Sequence, residues 1–293
     1  MDGIIVVDKP EGWTSHDAVG KMRRLANLRR IGHLGTLDPM ATGVLPLVLG
    51  RATRLSQFYT TSDKWYDAVV RFGYSTSTYD RQGEPASPAI DVNIDGDELE
   101  RLLDRFRGKI EQVPPSVSAK KIAGVPAYKL ARKNKPVELK PVAVTVYALS
   151  LVSCSGAEAR LQAHCSAGTY LRSIAHDLGQ ILGCGAFLQE LRRARSGPFT
   201  LQIARTIPSL EALATEGRLA EALIPAVDLL PEYPAERVDA LTAGQIRQGR
   251  DFRTSPFRVP RGTQYVRAIS PEGELIAIGE ARLPNLYHPI LVL

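Results

Sequence analysis

One carboxylate lies in a stretch of the chain whose glycines and prolines exclude an uninterrupted helix or strand. Residues 32–46 read GHLGTLDPMATGVLP, with Asp38 at the centre. Pro39 biases Asp38 towards an extended conformation and has no backbone N–H to donate. A rigid loop that presents one carboxylate suits a nucleophile or a general base. Asp-Pro is also a common helix start with Asp as the N-cap, and the dipeptide alone leaves both interpretations open.

Length, charge and cysteine usage narrow the class of protein. A chain of 293 residues predicts about two domains, and a net charge of +6 is consistent with a polyanionic partner. Three cysteines without C-x-x-C spacing and five histidines outside any ligand motif predict neither a disulfide framework nor a metal site. We expect a cytoplasmic protein, since no signal segment or stretch of ~20 apolar residues is found.

Hydrophobic periodicity and turn residues predict the order of elements. Helices are expected from an N-cap at Ser15 to about Leu28, over 52–59 and 95–106, from an N-cap at Thr169 to Leu182, and as a connector over 210–230. Strands are expected at 4–7, 64–72, 142–152, 159–165 and 186–195, and short β segments over 259–293. Trp65 and Tyr66 should point to opposite faces of their strand, so that one enters the core and the other a cleft.

Three basic stretches have both a functional and a structural interpretation. The first helix and its end carry five cations, which predict phosphate contacts or simply a solvated face: Lys21, Arg23, Arg24, Arg29 and Arg30. Residues 113–140 form a basic excursion that is either a clamp for a nucleic-acid backbone or a solvated insertion. The predicted strand at 186–195 carries Arg192, Arg193 and Arg195, and the structural interpretation is that these arginines keep an exposed edge strand soluble.

Arg172, in the first turn of a helix, is a suitable counter-ion for a buried carboxylate.

Several motifs occur together in an order that resembles one known family. They are DKPEGWTS at 8–15, the stretch 32–46, KWY at 64–66, PPSVSA at 114–119, CSAGTYLR at 165–172, LG at 178–179, GCGA at 183–186 and LRR at 191–193. The chain over about residues 3–200 resembles the bacterial tRNA pseudouridine-55 synthases of the TruB type. That family shares ancestry with the catalytic subunits of box H/ACA pseudouridylation particles.

The resemblance implies an α+β fold and a division into two domains. The catalytic domain, residues 1–230, would be a mixed, largely antiparallel sheet with a cleft for the T-arm of tRNA. Residues 231–293 would be a small β-rich PUA-like RNA-binding domain, an assignment that rests on position and β character more than on motifs. The implied reaction is the isomerisation of uridine to pseudouridine at position 55 of tRNA, with tRNA as partner, no cofactor, no membrane and no obligatory protein partner.

The resemblance also implies roles for six residues. Asp38 would be the nucleophile or base, with Arg172 as its counter-ion, and Tyr66 the aromatic platform for a flipped uracil. Tyr170 would be a second pocket tyrosine and Leu191 an apolar wall, while His33 would enter the space that the flipped nucleotide leaves. Core packing of Tyr66, Tyr170 and Leu191, and a loop-stapling role for His33, remain the structural alternatives. The chain departs mildly from the family at Leu34 and Ala167.

Three other functions fit parts of the same sequence. A non-catalytic tRNA-binding or tRNA-folding protein could use the same scaffold. A nucleoside or glycoside hydrolase could use Asp38, although such enzymes usually need a second carboxylate and the loop shows no partner for it. A guide-RNA-dependent pseudouridine synthase would share the chemistry but would not act on tRNA alone.

Overall fold

A computed structural model describes residues 1–115 and 140–293, and between them the backbone of two short strands, Lys121–Ile122 and Val125–Pro126. Most of the predicted basic excursion at 113–140 therefore lies outside the described residues.

Two β-sheets and a set of short helices make up the described chain. The helices are α1 (Ser15–Leu25), α2 (Gly96–Leu103), α3 (Leu171–Ile181), α4 (Ile207–Thr215) and α5 (Ala240–Arg247). The strands up to residue 112 are β1 (Gly3–Lys9), β2 (Ile31–His33), β3 (Thr42–Leu49), β4 (Lys64–Phe72) and β5 (Gly108–Gln112). The two short strands at 121–126 are β6 and β7. The strands from residue 142 to residue 225 are β8 (Val142–Ser155), β9 (Glu158–Cys165), β10 (Ala186–Ser196), β11 (Phe199–Thr200), β12 (Arg205–Thr206) and β13 (Leu223–Pro225). The remaining strands are β14 (Ala235–Arg237), β15 (Phe252–Arg253), β16 (Tyr265–Ile269), β17 (Leu275–Leu283) and β18 (Leu286–Val292).

The larger sheet has the order β12-β1-β3-β10-β4-β9-β8-β5, with β2, β11 and β13 paired at its side. Its pairs are antiparallel except β1 with β12 and β3 with β10, which are parallel. The predicted mixed, largely antiparallel sheet of an α+β fold is therefore confirmed.

Strand β1 shows why this sheet has two covered faces. Ile5 and Val7 pack into a core that includes residues of α1, α2 and α3. Ile4 and Val6 point to the other face and pack into a second core. Because both faces are covered, the strand is a continuous apolar run instead of an alternating one.

The smaller sheet has the order β14-β16-β17-β18-β15. Ile269, Leu275 and Ile278 from this sheet belong to the same core as Ile4 and Val6 of β1. The predicted β character of the C-terminal residues is thus correct, whereas the boundary at 230/231 and the PUA-like assignment stay predictions. Within the described ranges, no helix combines the length and apolar character needed to cross a membrane.

Several predicted helix boundaries are wrong, each for a local reason. Thr14, not Ser15, is the N-cap of α1, because Thr14 and Asp17 form a reciprocal capping box. That helix ends at Leu25, before Asn27 at φ 46°. The N-cap position of α3 is Tyr170, while the Thr169 hydroxyl donates to the carbonyl of Ser166.

The other helical predictions change as follows. Residues 50–58 are a 3₁₀ segment, and the 95–106 helix becomes α2 with Asp95 as N-cap, followed by a 3₁₀ turn at 104–106. The predicted connector over 210–230 divides into α4, two 3₁₀ turns and β13.

The arginine-rich strand β10 is not an edge strand. It pairs with β4 on one side and with β3 on the other, in the middle of the sheet. Arg193 is 1% exposed, so solubility cannot be its role. Arg192 forms a bidentate ion pair with Asp8 of β1, at 3.1 Å and 2.8 Å, and Arg195 lies 4.4 Å from the ring centre of Trp65.

Candidate active site

The Asp38 loop is a turn and not the start of a helix. The N–H of Ala41 donates to the carbonyl of Asp38 at 3.1 Å, and β3 begins at Thr42. The helix-capping interpretation of Asp38 is therefore wrong. Asp38 stands on a loop between β2 and β3 with its carboxylate free to contact other elements.

The loop at 10–15 holds the Asp38 loop from one side. The N–H of Leu37 donates to Ser15 Oγ at 2.9 Å, and Ser15 Oγ lies 3.2 Å from the Leu37 carbonyl. Lys9 is completely buried, and its Nζ donates to the carbonyls of Trp13 and Pro39 at 2.6 Å and 3.3 Å. Burial lowers the pKa of Lys9 to about 8. These bonds fix both ends of the turn that carries Asp38.

Arg193 holds the Asp38 loop from the other side. Its Nε donates to the Val44 carbonyl at 2.7 Å, and one terminal nitrogen donates to the Gly35 carbonyl at 3.0 Å. Gly43 lies against the same strand at φ 100°, where a Cβ would be 2.3 Å from the Arg193 carbonyl oxygen. The glycine is needed here because β3 and β10 approach too closely for any side chain.

Asp38 and Arg172 form the ion pair that the sequence predicts. Arg172 Nε lies 3.0 Å from Asp38 Oδ2, and Nη2 of the same guanidinium donates to Asp38 Oδ1 at 3.2 Å. The Arg172 side chain is 3% exposed, whereas Asp38 keeps 32% of its side chain exposed. The guanidinium therefore lies behind the carboxylate, and the carboxylate faces the cleft.

A second acidic residue, Asp80, lies on the far side of Arg172. Its carboxylate is 3.5 Å from Arg172 Nη1, and the same nitrogen donates to the Thr78 carbonyl at 3.0 Å. Asp80 also accepts from the Thr78 hydroxyl at 2.6 Å and from the Gln82 N–H at 3.0 Å. Asp80 could not be identified from the sequence, because a polar loop without periodicity gives no sign that one of its members is buried.

Opposing influences set the pKa of Asp38. Burial raises the pKa of this carboxyl, the Arg172 guanidinium and Lys9 oppose that rise, and the Asp80 carboxylate adds to it. We expect the carboxylate to be ionised at neutral pH because a bidentate guanidinium stabilises the charged form.

A cavity of about 480 Å³ opens in front of this carboxylate. Tyr66, Leu191 and Tyr170 line it together with Asp38 and Arg172. Burial raises the pKa of Tyr66, so its ring carries a neutral hydroxyl. The prediction that Trp65 and Tyr66 point to opposite faces of β4 is correct, and Tyr66 lines the cavity. Trp65 does not enter the core: it is half-buried on the other face and stacks on His164, with 4.0 Å between ring centres.

Gln112, at the end of β5, fixes the start of α3. Its amide accepts from the Tyr170 N–H at 2.7 Å and donates to the Tyr170 carbonyl at 2.9 Å. One turn on, the Ser173 hydroxyl donates to the Val113 carbonyl at 2.8 Å. These bonds place both Tyr170 and Arg172, yet Gln112 carries no local sequence signal that would identify it.

His33 lies near the Asp38 loop but outside the cavity lining. Its ring is edge-on to that of His16, with 5.6 Å between ring centres. Burial lowers the pKa of His33 to about 4, and its neighbours His16 and Arg193 add to the effect. His33 is therefore a neutral ring at physiological pH.

The cations of α1 are partly used within the protein. Lys21 pairs with Glu211 of α4, and Arg23 donates to the Ile31 carbonyl at 3.1 Å. Arg24 and Arg29 are exposed, so phosphate contacts stay a prediction for this face.

The arrangement suits a reaction in which one carboxylate acts on a substrate whose planar ring is bound in the cavity. Asp38 faces a cavity with an aromatic and an aliphatic wall, and its counter-ion is buried behind it. Asp80 does not serve as the second carboxylate of a hydrolase, since it is 3% exposed and bound on the far side of the guanidinium.

Two family models match adjoining parts of the chain. One, described as TruB family pseudouridylate synthase (N terminal domain), matches residues 23–171, and the other, described as tRNA pseudouridylate synthase B C-terminal domain, matches residues 172–230. The chain is 61% identical to a tRNA pseudouridine synthase B of Solibacter usitatus over 293 residues, covering 100% of both chains. It is 43% identical to that of Ectopseudomonas mendocina over 285 residues, covering 96% of this chain and 91% of the relative.

Solved structures share the fold over nearly the whole chain. A chain of an archaeal box H/ACA sRNP Nop10–Cbf5 complex is 25% identical, with a TM-score of 0.68 over 99% of this chain and 85% of that one. A chain of an H/ACA RNP bound to a substrate RNA containing 2′-deoxyuridine is 24% identical, with a TM-score of 0.71 over 99% and 84%, which shows the fold alone.

The family models and the fold shared with the solved structures define the class of pseudouridine synthases. More specifically, the chain belongs to the TruB family of pseudouridylate synthases. The predicted enzyme class, which isomerises uridine to pseudouridine in tRNA, is confirmed.

Proposed function

We propose that this protein isomerises the uridine at position 55, in the T-arm of tRNA, with Asp38 as the catalytic carboxylate. The observation that carries the proposal is the Asp38–Arg172 ion pair at a cavity lined by Tyr66 and Leu191. The reaction breaks the C1′–N1 glycosidic bond, rotates the uracil and joins its C5 to C1′. The C5 proton leaves to water, and N1 takes up a proton in its place, so that the product is an isomer of the substrate. It exchanges no electrons, and every step can be served by side chains.

The other cavity residues take the roles that base extrusion requires. Tyr66 stacks against the flipped uracil, Leu191 closes the apolar wall, and Tyr170 bounds the pocket from the start of α3. His33 enters the place that the nucleotide vacates. Its neutral ring supports this role, because an uncharged imidazole can stack between bases without losing the hydration of a charge.

We extend the proposal to the C-terminal residues 231–293, which act as a PUA-like RNA-binding domain. Phe257 is 97% exposed, and its loop also carries Arg258 and Arg261. An exposed aromatic ring among arginines suits base stacking with phosphate contacts. The protein works without an obligatory protein partner. It works in the cytoplasm, and the free thiols of Cys154, Cys165 and Cys184 support this compartment.

The test uses a tRNA transcript that carries tritium at C5 of its uridines. We expect the wild-type protein alone to release tritium to water from one uridine per tRNA, and a transcript with cytidine at position 55 to release none. Asp38→Asn keeps the size of the side chain and should abolish release while leaving tRNA binding measurable. Sequencing of the treated tRNA then locates the modified nucleotide.

Each alternative has its own result. Equal release by wild type and Asp38→Asn would remove Asp38 from the reaction. Release from a different uridine would contradict the assignment to position 55. If the protein alone binds tRNA without releasing tritium, the tRNA-folding or guide-RNA-dependent alternative takes its place.

A further inference from the structure

Tyr79 has an unusual backbone conformation directly beside Asp80. Its φ is 63°, in the left-handed region that bulky side chains rarely adopt. Its carbonyl accepts from the Leu188 N–H at 2.9 Å, so the loop is bonded to β10 at this residue. Such a conformation persists only where the surroundings hold it, and it is often found next to functional groups.

The ring of Tyr79 is held by His176 of α3. The two rings stack with 3.8 Å between their centres and 13° between their planes. Burial lowers the pKa of His176, so the contact joins two neutral rings. The buried Nδ1 of His176 has no hydrogen-bond partner among the described residues.

His176 lies one helical turn after Arg172 on the same face of α3. Arg172 contacts Thr78 and Asp80, and His176 contacts the residue between them. The three consecutive loop residues 78–80 are therefore contacted by two side chains of α3, Arg172 and His176, which are four positions apart. A shift of the Tyr79 ring would move the two oxygen groups that orient the Arg172 guanidinium.

We propose that the Tyr79–His176 stack is a positioning pair, which sets the orientation of Arg172 towards Asp38 through Thr78 and Asp80. The inference rests on the proposed function of Asp38 and Arg172 and adds to it the residues that hold Arg172 in its orientation. Neither ring lines the cavity, so the pair acts through Arg172 and not on the substrate.

The test compares variants that separate the ring from the backbone. Tyr79→Asn tolerates a positive φ but removes the ring, whereas Tyr79→Phe and His176→Phe keep a ring on each side. We expect Tyr79→Asn to lower the single-turnover rate of tritium release about tenfold to hundredfold, as a displaced catalytic group does. The Kd for tRNA should be unchanged, and both Phe variants should restore most of the rate.

A second readout separates positioning from a loss of stability. Asp38 is faced by Arg172 from α3, Asp80 from the loop and Lys9 from β1. If the Arg172 guanidinium moves away from Asp38, it no longer offsets the effect of burial, and the pKa of Asp38 rises. The acid limb of the rate–pH profile should then move to higher pH in Tyr79→Asn.

Tyr74→Leu provides the matched control. Tyr74 is in the same loop, and its ring packs on Phe187 of β10, with 4.8 Å between ring centres. We expect this variant to lose stability with no shift of the acid limb. If Tyr79→Asn matches Tyr74→Leu in rate and in acid limb, the positioning role is overturned. If the wild type itself releases no tritium, the proposed function fails instead, so the two failures are distinguishable.

Discussion

Arg172 Nε lies 3.0 Å from Asp38 Oδ2, with the arginine side chain only 3% exposed. The guanidinium is bound on its other side by Thr78 and Asp80, so it is fixed before any substrate arrives. A preorganised counter-ion of this kind keeps one carboxylate ionised and aimed without reorganisation during the reaction.

Arg172→Lys should separate charge from geometry. Lysine keeps the positive charge but cannot reach Asp38, Thr78 and Asp80 together with a planar fork. We expect the single-turnover rate to fall about tenfold to hundredfold. The acid limb of the rate–pH profile should move to higher pH. Burial raises the pKa of Asp38, and a lysine would oppose that rise less well than Arg172 does. A wild-type profile in the variant would contradict this prediction.

Gly43→Ala and Gly20→Ala should change stability in opposite directions. At Gly43 a Cβ would lie 2.3 Å from the Arg193 carbonyl oxygen at φ 100°, and backbone strain of this kind costs about 1–3 kcal/mol. At Gly20, within α1, nothing lies within 4 Å of a Cβ, and alanine should raise the free energy of unfolding by about 0.5–1 kcal/mol. Urea denaturation measures both. Equal effects of the two substitutions would contradict the close approach of β3 and β10.

Gln112→Leu should weaken the start of α3. The substitution leaves the N–H and carbonyl of Tyr170 without the amide that binds both, a loss of about 1–3 kcal/mol. Activity should fall further than stability explains, because Tyr170 and Arg172 lie on the freed turn. Gln180→Leu is the control, since Gln180 is exposed on the same helix and should change stability by no more than about 0.5 kcal/mol. Full activity of a folded Gln112→Leu protein would contradict the role of this amide.

His33 should make the protein less stable in acid. The folded protein resists protonation of His33 down to a pKa of about 4, whereas an ordinary histidine takes up the proton near 6.5. The unfolded chain therefore binds more protons between these values, and the free energy of unfolding should fall as the pH decreases through them. Denaturation across this range should show a shallower pH dependence for His33→Gln. The same slope in both proteins would mean that His33 has an ordinary pKa in the folded state, which would contradict this prediction.

Some elements follow from local sequence and others do not. Residues 64–72 form the predicted strand because the segment is rich in β-branched and aromatic residues, and its side chains divide between two faces as the period of two requires. The N-cap of α1 is Thr14 and not the predicted Ser15. Both residue types are good N-caps, and the capping box of Thr14 with Asp17 decides between them, while Ser15 Oγ accepts from the Leu37 N–H. The Asp-Pro pair was equally ambiguous until the turn at Ala41 was known.

The sequence by itself determined the family and the enzyme class, because several short motifs occur in an order that resembles one family. That resemblance also predicted six residues of the candidate site. Only the tertiary structure decided which groups meet. Asp38 and Arg172 are 134 positions apart, and Arg172 and Thr78 are 94 apart. Asp80, Gln112, Lys9 and Arg193 gained their roles from burial alone, since a polar group deprived of water must find a partner within the protein. Local sequence carries no record of that partner, which depends on how the strands are ordered in the sheet.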